Sequence, residues 1–521
     1  MKRLHAFLAL LALAAAPAAA QQPVASAPAE RVDAQANARI REEGMTRSRV
    51  LETATVLSDV HGPRLAGSPG YLRAAEWARD RLASYGLRAA LEPWGTRRGR
   101  GWEAARHSVE LVSPYYARIV AYPKAWSPAT AGTVRGEPVL VSIASEADLA
   151  RYAGRLRGKI VLNGELRPDT ASRFIVPGRR FTQAQLDSLA RLTEPGDPAD
   201  YWEDAGGYAD RVRQRHRLAV RLREEGVAAM LEPSRNPAAV GVSAYQAYDS
   251  DVSGAVPAFV VDAGDYARIV NLVRHGAAPV LEVELRTRET TSDSVGYNVV
   301  AEIPGSDPRL REEVVMAGGH LDSWNAGTGA TDNAAGVAAV MEAVRILQAI
   351  GAKPRRTIRV AFWDGEEHED YFGSLGYVRK HFGSPETMRL LPEHRRVSAY
   401  FNLDNGAGRI RGLRLQGNSA VRPVFAAILE PFRDLGAANL TIENTGSTDH
   451  MPFVSVGIPA FTFLQDPLDY DTRTHHTQRD VAAALPEADL KQAAVVVASM
   501  LLHVANRDEM LPRGPLPKPR P

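Results

Sequence analysis

The chain has 521 residues, 45% hydrophobic and 24% charged, with 42 Gly and 34 Pro, which excludes collagen-like and wholly disordered polymers. It contains no Cys, which excludes a disulfide scaffold, a Cys-ligated zinc site and a thiol nucleophile. Lys2 and Arg3 account for the formal net charge of +2, so the basic excess of a nucleic-acid binder is missing.

The N-terminus joins Lys2-Arg3 to an apolar run from Ala6 to Ala16, then Pro17 and Ala18-Ala19-Ala20. A basic start, a short apolar core and an Ala-x-Ala end are the parts of a secretory signal, so residues 1–20 are expected to be removed on export. No Cys follows to take a lipid, and no later run reaches the roughly 18 apolar residues of a membrane span. The mature chain is therefore expected in the periplasm or secreted, with no membrane association. Residues 21–40, rich in Ala, Gln and Pro, are expected to form a flexible leader.

Residues 41–125 start with two helical patterns flanking the turn-rich segment His61-Gly-Pro-Arg-Leu-Ala-Gly-Ser-Pro-Gly70, the second running from Tyr71 to Tyr85. Between 126 and 288 the texture changes to short β-like runs: Pro138–Ser142, Lys159–Leu162, Ala258–Val261 and Val280–Glu284. The polar stretch 168–212 inside this region reads as an insertion or lid. From 289 to 510 strands and helices alternate, with Asn298–Ile303, Glu313–Ala317, Ile358–Phe362 and Ala399–Leu403 suited to a buried sheet. Asn333 to Ile350 carries apolar residues at helical spacing, and Asp332 stands at its N-cap position. Residues 511–521 are a Pro-rich tail expected to be disordered.

Five segments place metal-type ligands in one topological position, just beyond predicted strands, where ligands gather in open α/β sheets. They are Gly318-Gly319-His320-Leu321-Asp322, Ala330-Thr331-Asp332-Asn333, Asp364-Gly365-Glu366-Glu367, Asn402-Leu403-Asp404 and Thr474-His475-His476-Thr477. Singly, each reads as a cap, a turn or an acidic loop. As a set, two His with several carboxylates suit zinc or a similar borderline cation.

This order of ligands, His-x-Asp, Asp-Asn, Glu-Glu, Asp and His, resembles a di-zinc exopeptidase family. That family includes secreted bacterial aminopeptidases, plasma glutamate carboxypeptidase and, as a non-catalytic relative, the transferrin receptor. Gly62-Pro-Arg-Leu-Ala-Gly-Ser-Pro69 resembles a segment upstream of the family's catalytic part, and Gly158-Lys-Ile-Val with Val256-Pro-Ala-Phe resembles its inserted protease-associated domain.

The resemblance implies an α/β fold: a three-layer α/β/α domain with a mixed sheet plus a β-rich protease-associated insertion. It implies two zinc ions, with His320 and Asp404 binding one metal each, Asp332 bridging both, and Glu367 and His476 completing the shell. Glu366 is then the general base, Asp322 orients ligands from behind, and Asp480 is a lesser candidate for the same task. His475 stands where many relatives carry a Tyr that assists the tetrahedral intermediate, so it is a catalytic candidate as a hydrogen-bond donor. His368-Glu369-Asp370 departs from the family pattern and reads as an ammonium site or a solvated turn, and Asp449-His450 reads as pocket wall.

Physically, two adjacent carboxylates at Glu366 and Glu367 are tolerable in a dry site only beside a cation. The expected activity is exopeptidase action on peptides, aminopeptidase first, with carboxypeptidase or dipeptidase as the alternative. Two other readings compete: a binding protein that has lost its metals, against which every ligand position is filled, and a single-zinc glutaminyl cyclase, against which His320 stands.

Overall fold

The computed structural model describes residues 30–96, 101–165, 176–196, 205–236, 238–245, 254–290, 295–367 and 371–519. The expected signal segment and His368–Asp370 lie outside the described residues. The main sheet has eight strands: β1 Arg88–Thr96, β2 Val295–Ile303, β3 Val314–His320, β4 Thr357–Trp363, β5 Val397–Asn402, β6 Ile410–Arg414, β7 Asn439–Thr441 and β8 Ala460–Gln465. Their spatial order is β1-β2-β4-β3-β5-β8-β6-β7.

The four central strands β4, β3, β5 and β8 run parallel to one another, while β1, β2 and β6 join antiparallel, so the sheet is mixed. Every residue of β3, β5 and β8 is buried, the signature of a sheet covered on both faces. One face packs against helices Pro69–Ser84, Ala335–Ala349 and Glu487–Asn506. The other packs Tyr377, Val378 and Phe453 against Met316, Trp363 and Tyr400. The three-layer architecture follows. Helix Glu487–Asn506 is apolar and long enough to cross a membrane, but 89% of its apolar window is buried inside the protein. It is a core helix.

Two terminal segments differ from their sequence reading. Helix Ala34–Thr46 occupies part of the expected leader. Its Ile40 is fully buried, Asn37 Oδ1 accepts a hydrogen bond from Ser499 at 2.8 Å, and Glu43 pairs with Arg345 at 2.8 Å. Ala and Gln favour a helix once a partner surface exists, and Ile40 supplies the docking contact. The expected disordered tail likewise starts ordered: Leu511 is buried and donates its N–H to Ser398, and Arg513 donates to the His394 carbonyl at 2.9 Å.

A second unit is inserted between β1 and β2. It holds a four-stranded sheet and a five-stranded sheet sharing a core that includes Val109, Leu111, Phe259, Ile269 and Leu281. Strand Gly101–Ser113 pairs along its length with Val280–Thr290, so the unit begins near residue 101 and not at 126. The long strand was not legible because its exposed face carries Glu103, Arg106 and Glu110 among few apolar residues.

Within the 168–212 stretch, helix Gln183–Ala190 lies at the β7 edge of the main sheet, where Asn439 Nδ2 donates to the Leu186 carbonyl at 2.8 Å. Arg180 anchors the same stretch on Asp466 and Asp489, at 2.9 and 2.7 Å.

Ile40→Ala is expected to cost about 3 kcal/mol in urea unfolding, the range of a buried Ile truncation. A change below about 0.5 kcal/mol would place this helix outside the cooperative core.

Candidate metal centre

Parallel alignment of β4, β3, β5 and β8 brings their carboxyl ends to one edge of the sheet. The Gly318-Gly319 pair makes the approach close enough. A Cβ on Gly318 would lie 1.9 Å from the Ala361 carbonyl oxygen, and one on Gly319 would lie 2.7 Å from Asn333 Nδ2. His320 ends β3 with Nδ1 3.0 Å from the Asp322 carbonyl oxygen. A proton on Nδ1 donated there leaves the Nε2 lone pair facing Asp332 Oδ1 and Asp404 Oδ1, each at 3.2 Å. Burial alone would depress this imidazole, but the charges of Asp404 and Glu366 outweigh it and hold the His320 pKa well above the usual value.

Asp332 does not cap the following helix. Its backbone is non-helical, and Asn333 takes the capping task instead: Oδ1 accepts the Gly336 N–H at 3.1 Å while Nδ2 donates to the Leu403 carbonyl at 2.9 Å. The Asp332 carboxylate is thereby left for the site. Asp480 holds this turn from behind, accepting from the Thr331 N–H, the Thr331 hydroxyl and the Asp332 N–H at 2.6, 2.7 and 3.2 Å. Burial and the charge of Asp332 lift the Asp480 carboxyl to about 7.

The Glu366–Glu367 pair is positioned through its backbone. Asp322 accepts both N–H groups, at 3.2 and 3.3 Å, so one carboxylate fixes the loop after β4 while its own carbonyl orients His320. Sequence reasoning gave Asp322 an orienting task; the structure divides that task between its carboxylate and its main chain. Burial raises both glutamic acids well above the usual range, with Asp332 adding to the effect at Glu367.

Beyond β8, His476 adopts a left-handed backbone with φ 55°. Its Nε2 lies 2.9 Å from Glu367 Oε2 and 3.4 Å from Asp332 Oδ2. His475 Nε2 is farther, 3.9 Å from Asp332 Oδ2, and the two imidazole rings lie 3.8 Å apart.

Two donor groups therefore meet at one residue: His320, Asp332 and Asp404 in the first, Asp332, His475 and His476 in the second. His320 and Asp404 share the same side of Asp332. Glu367 Oε1 is buried without a hydrogen-bond partner. A buried carboxylate oxygen with no donor is costly unless a cation faces it, so the residues present fit a metal of zinc type.

Tyr470 and Thr448 were not singled out from sequence, whereas Asp449 and His450 were read as pocket wall. Tyr470 packs against His475 with ring centroids 4.7 Å apart and planes tilted by 37°, and burial with the Asp332 charge keeps its phenol un-ionised. Its only sequence signal was its place five residues before His475. Thr448 donates its hydroxyl to Asp404 Oδ2 and accepts from Asn402 Nδ2 at 2.9 Å. Asp449 accepts from the Ser374 hydroxyl, and burial lifts its carboxyl to about 8. His450 Nε2 bonds the Thr445 carbonyl at 2.9 Å, and burial lowers its pKa to about 4, which makes it a neutral structural residue.

Arg64, from the turn-rich segment upstream, is fully buried and donates to the carbonyls of Leu57, Leu321, Thr328 and Gly329 at 2.7 to 2.8 Å. Desolvation lowers its pKa to about 10, so it stays charged at neutral pH. It ties the segment before Asp332 to the segment carrying Asp322.

Residues 298–501 match the family profile described as Peptidase family M28. Carboxypeptidase Q of Homo sapiens is 26% identical over 477 residues, covering 90% of this chain and 88% of its own. A Peptidase M28 precursor from Shewanella amazonensis SB2B superposes with a TM-score of 0.64 at 26% identity, covering 93% of this chain and 98% of that one. A zinc aminopeptidase from Bacillus subtilis shares the fold at 18% identity, with a TM-score of 0.52 over 87% of this chain and 93% of its own. Residues 298–501 thus match a peptidase domain of family M28, and the chain shares the α/β fold of these structures.

Arg64→Met is expected to lower stability by at least about 3 kcal/mol, because it leaves several buried carbonyls without donors. Chemical unfolding followed by tryptophan fluorescence reads this directly; a loss below about 1 kcal/mol would mean that water replaces the guanidinium.

Proposed function

We propose, from the premise that residues 298–501 form an M28 peptidase domain, that this protein is an exported exopeptidase that takes two zinc ions and removes N-terminal residues from peptides. The observation that carries the two-metal reading is Asp332, whose carboxylate is common to both donor groups. His320 and Asp404 would hold one ion, Glu367 and His476 the other, and Asp332 both. Zinc bound there would polarise the scissile carbonyl and acidify a water.

Glu366 is the general base. Its carboxyl sits beside the ligands without being one, and as a carboxylate it takes the proton of the attacking water and hands it to the departing amine. Its raised proton affinity, caused first by burial, suits a group that must accept a proton and then release it. His475 serves as a hydrogen-bond donor to the developing oxyanion. Burial lowers its pKa, so the ring is neutral at pH 7 and offers one N–H, and at 41% exposure it is reachable by substrate.

The N-terminal direction is supported by the surplus of buried carboxylates around the ligands and by Arg64, whose guanidinium is spent on backbone carbonyls. A carboxypeptidase is the second reading, favoured by the alignment with Carboxypeptidase Q across 90% of the chain. Export is supported by the basic, apolar and Ala-x-Ala sequence of residues 1–20.

Glu366→Gln should retain zinc and lose about 10²- to 10⁴-fold in kcat, since the base is removed and the ligands are kept. Near-normal turnover would remove Glu366 from the mechanism. Asp332→Ala should purify with markedly less zinc by elemental analysis, and full occupancy there would end its bridging role. Peptides supplied free, N-acetylated and C-amidated separate the directions. Cleavage abolished by N-acetylation is the expected result, and cleavage abolished by C-amidation would establish the carboxypeptidase.

A further inference from the structure

The segment carrying His476 is gripped from outside by the inserted unit. Gly241 and Thr477 form an antiparallel bridge between the two units. Val242 donates its N–H to the His476 carbonyl at 2.8 Å, and Gln478 donates its N–H to the Val240 carbonyl at 3.2 Å. The Gln478 side chain accepts the Val240 N–H at 2.6 Å, and Arg479 Nε reaches the Ala238 carbonyl at 3.0 Å. His476 needs such a grip: its backbone is in the left-handed region, unfavourable for a residue with a Cβ, and its side chain is 39% exposed.

The gripping edge is itself rigidly held. Ser234 Oγ accepts the Gly241 N–H at 3.0 Å and donates to the Ala239 carbonyl at 2.8 Å. Ala125 donates to the Ser243 carbonyl and accepts from the Tyr245 N–H, at 2.8 and 3.0 Å. Ala239 and Val240 are buried. The same unit also touches the loop after β3. Trp324 packs on the cluster of Leu65, Trp102, Ala125 and Trp126, and Asn325 Nδ2 donates to the Pro123 carbonyl at 3.0 Å. The Trp324 ring lies 5.6 Å from that of His476.

We infer that the inserted unit is a positioning clamp for one half of the metal centre: the edge 238–242 holds the His476 backbone so that its imidazole meets Glu367 and Asp332. This inference rests on the two-zinc reading. Val242, Val240 and Gln478 act through His476 and are positioning residues. The side of the centre formed by His320 and Asp404 has its own supports at Asp322 and Thr448, so the clamp acts on one ion and not on both.

The test is a zinc titration of the full chain against a chromophoric chelator, with cobalt absorption spectra of the same proteins. Wild type should take two equivalents. Gln478→Ala and Val242→Pro, which delete an acceptor and a donor of the clamp, should weaken one equivalent about tenfold or more and perturb one cobalt band set, leaving the other equivalent unchanged. Gln478→Glu keeps an acceptor for the Val240 N–H and should restore wild-type binding; Val242→Ala keeps the N–H and should match it. If Val242→Pro does not fold, Gln478→Ala decides. Two wild-type-tight equivalents in folded Gln478→Ala would overturn the clamp and leave the peptidase reading intact, and equal weakening of both equivalents would overturn it too. Fewer than two equivalents in wild type would overturn the two-zinc reading and the clamp with it.

Discussion

Acidic side chains are crowded into the dry edge of one sheet, and the rest of the site is arranged around that constraint. Asp322, Asp332, Glu366, Glu367, Asp449 and Asp480 are all buried within this region, and the ion pairs of Asp332, Glu367 and Asp404 among the described residues are with histidines. Burial, with neighbouring carboxylates adding to it, drives the carboxyls of Glu366, Glu367, Asp449 and Asp480 upward, so negative charge is disfavoured here in the protein alone. A divalent cation reverses that balance. The same crowding that is costly in the protein alone becomes a source of affinity when a metal sits among the oxygens.

Holding like charges together requires neutral supports, and the backbone supplies most of them. Asp322 accepts two main-chain N–H groups, Asp480 accepts two more with a hydroxyl, and Arg64 binds carbonyls instead of neutralising a carboxylate. The ligand carboxylates are thereby placed without being quenched. Four parallel strands deliver these loops to a common edge, and helices on both faces bury the sheet so that the loops cannot drift. The inserted unit meets the edge from the open side.

Much of this was legible in the sequence because local rules agree there with the global fold. The apolar runs that became β3, β4 and β5 are near-continuous, as doubly covered strands must be, and each leads into its polar cluster. The site was legible for the same reason: His320, Glu366 and Asp404 follow strand ends directly. What stayed hidden depends on contacts distant in sequence. Asp332 has the residue type of a cap, yet Asn333 caps because the carboxylate faces His320. Arg64 gives no local sign of its burial until the carbonyls that surround it are brought together. Helix Ala34–Thr46 has little apolar content of its own and is ordered by Ser499 and Arg345, hundreds of residues away. The bridge between Gly241 and Thr477 has no local signal at all.

The central claim is that Asp332 is shared by two cation sites, and anomalous diffraction from crystals of zinc-loaded protein tests it most directly. Data collected on either side of the zinc edge should give two peaks flanking the Asp332 carboxylate, one toward His320 and Asp404 and the other toward Glu367 and His476. A single peak on one side of Asp332, or zinc bound only elsewhere on the molecule, would contradict the account.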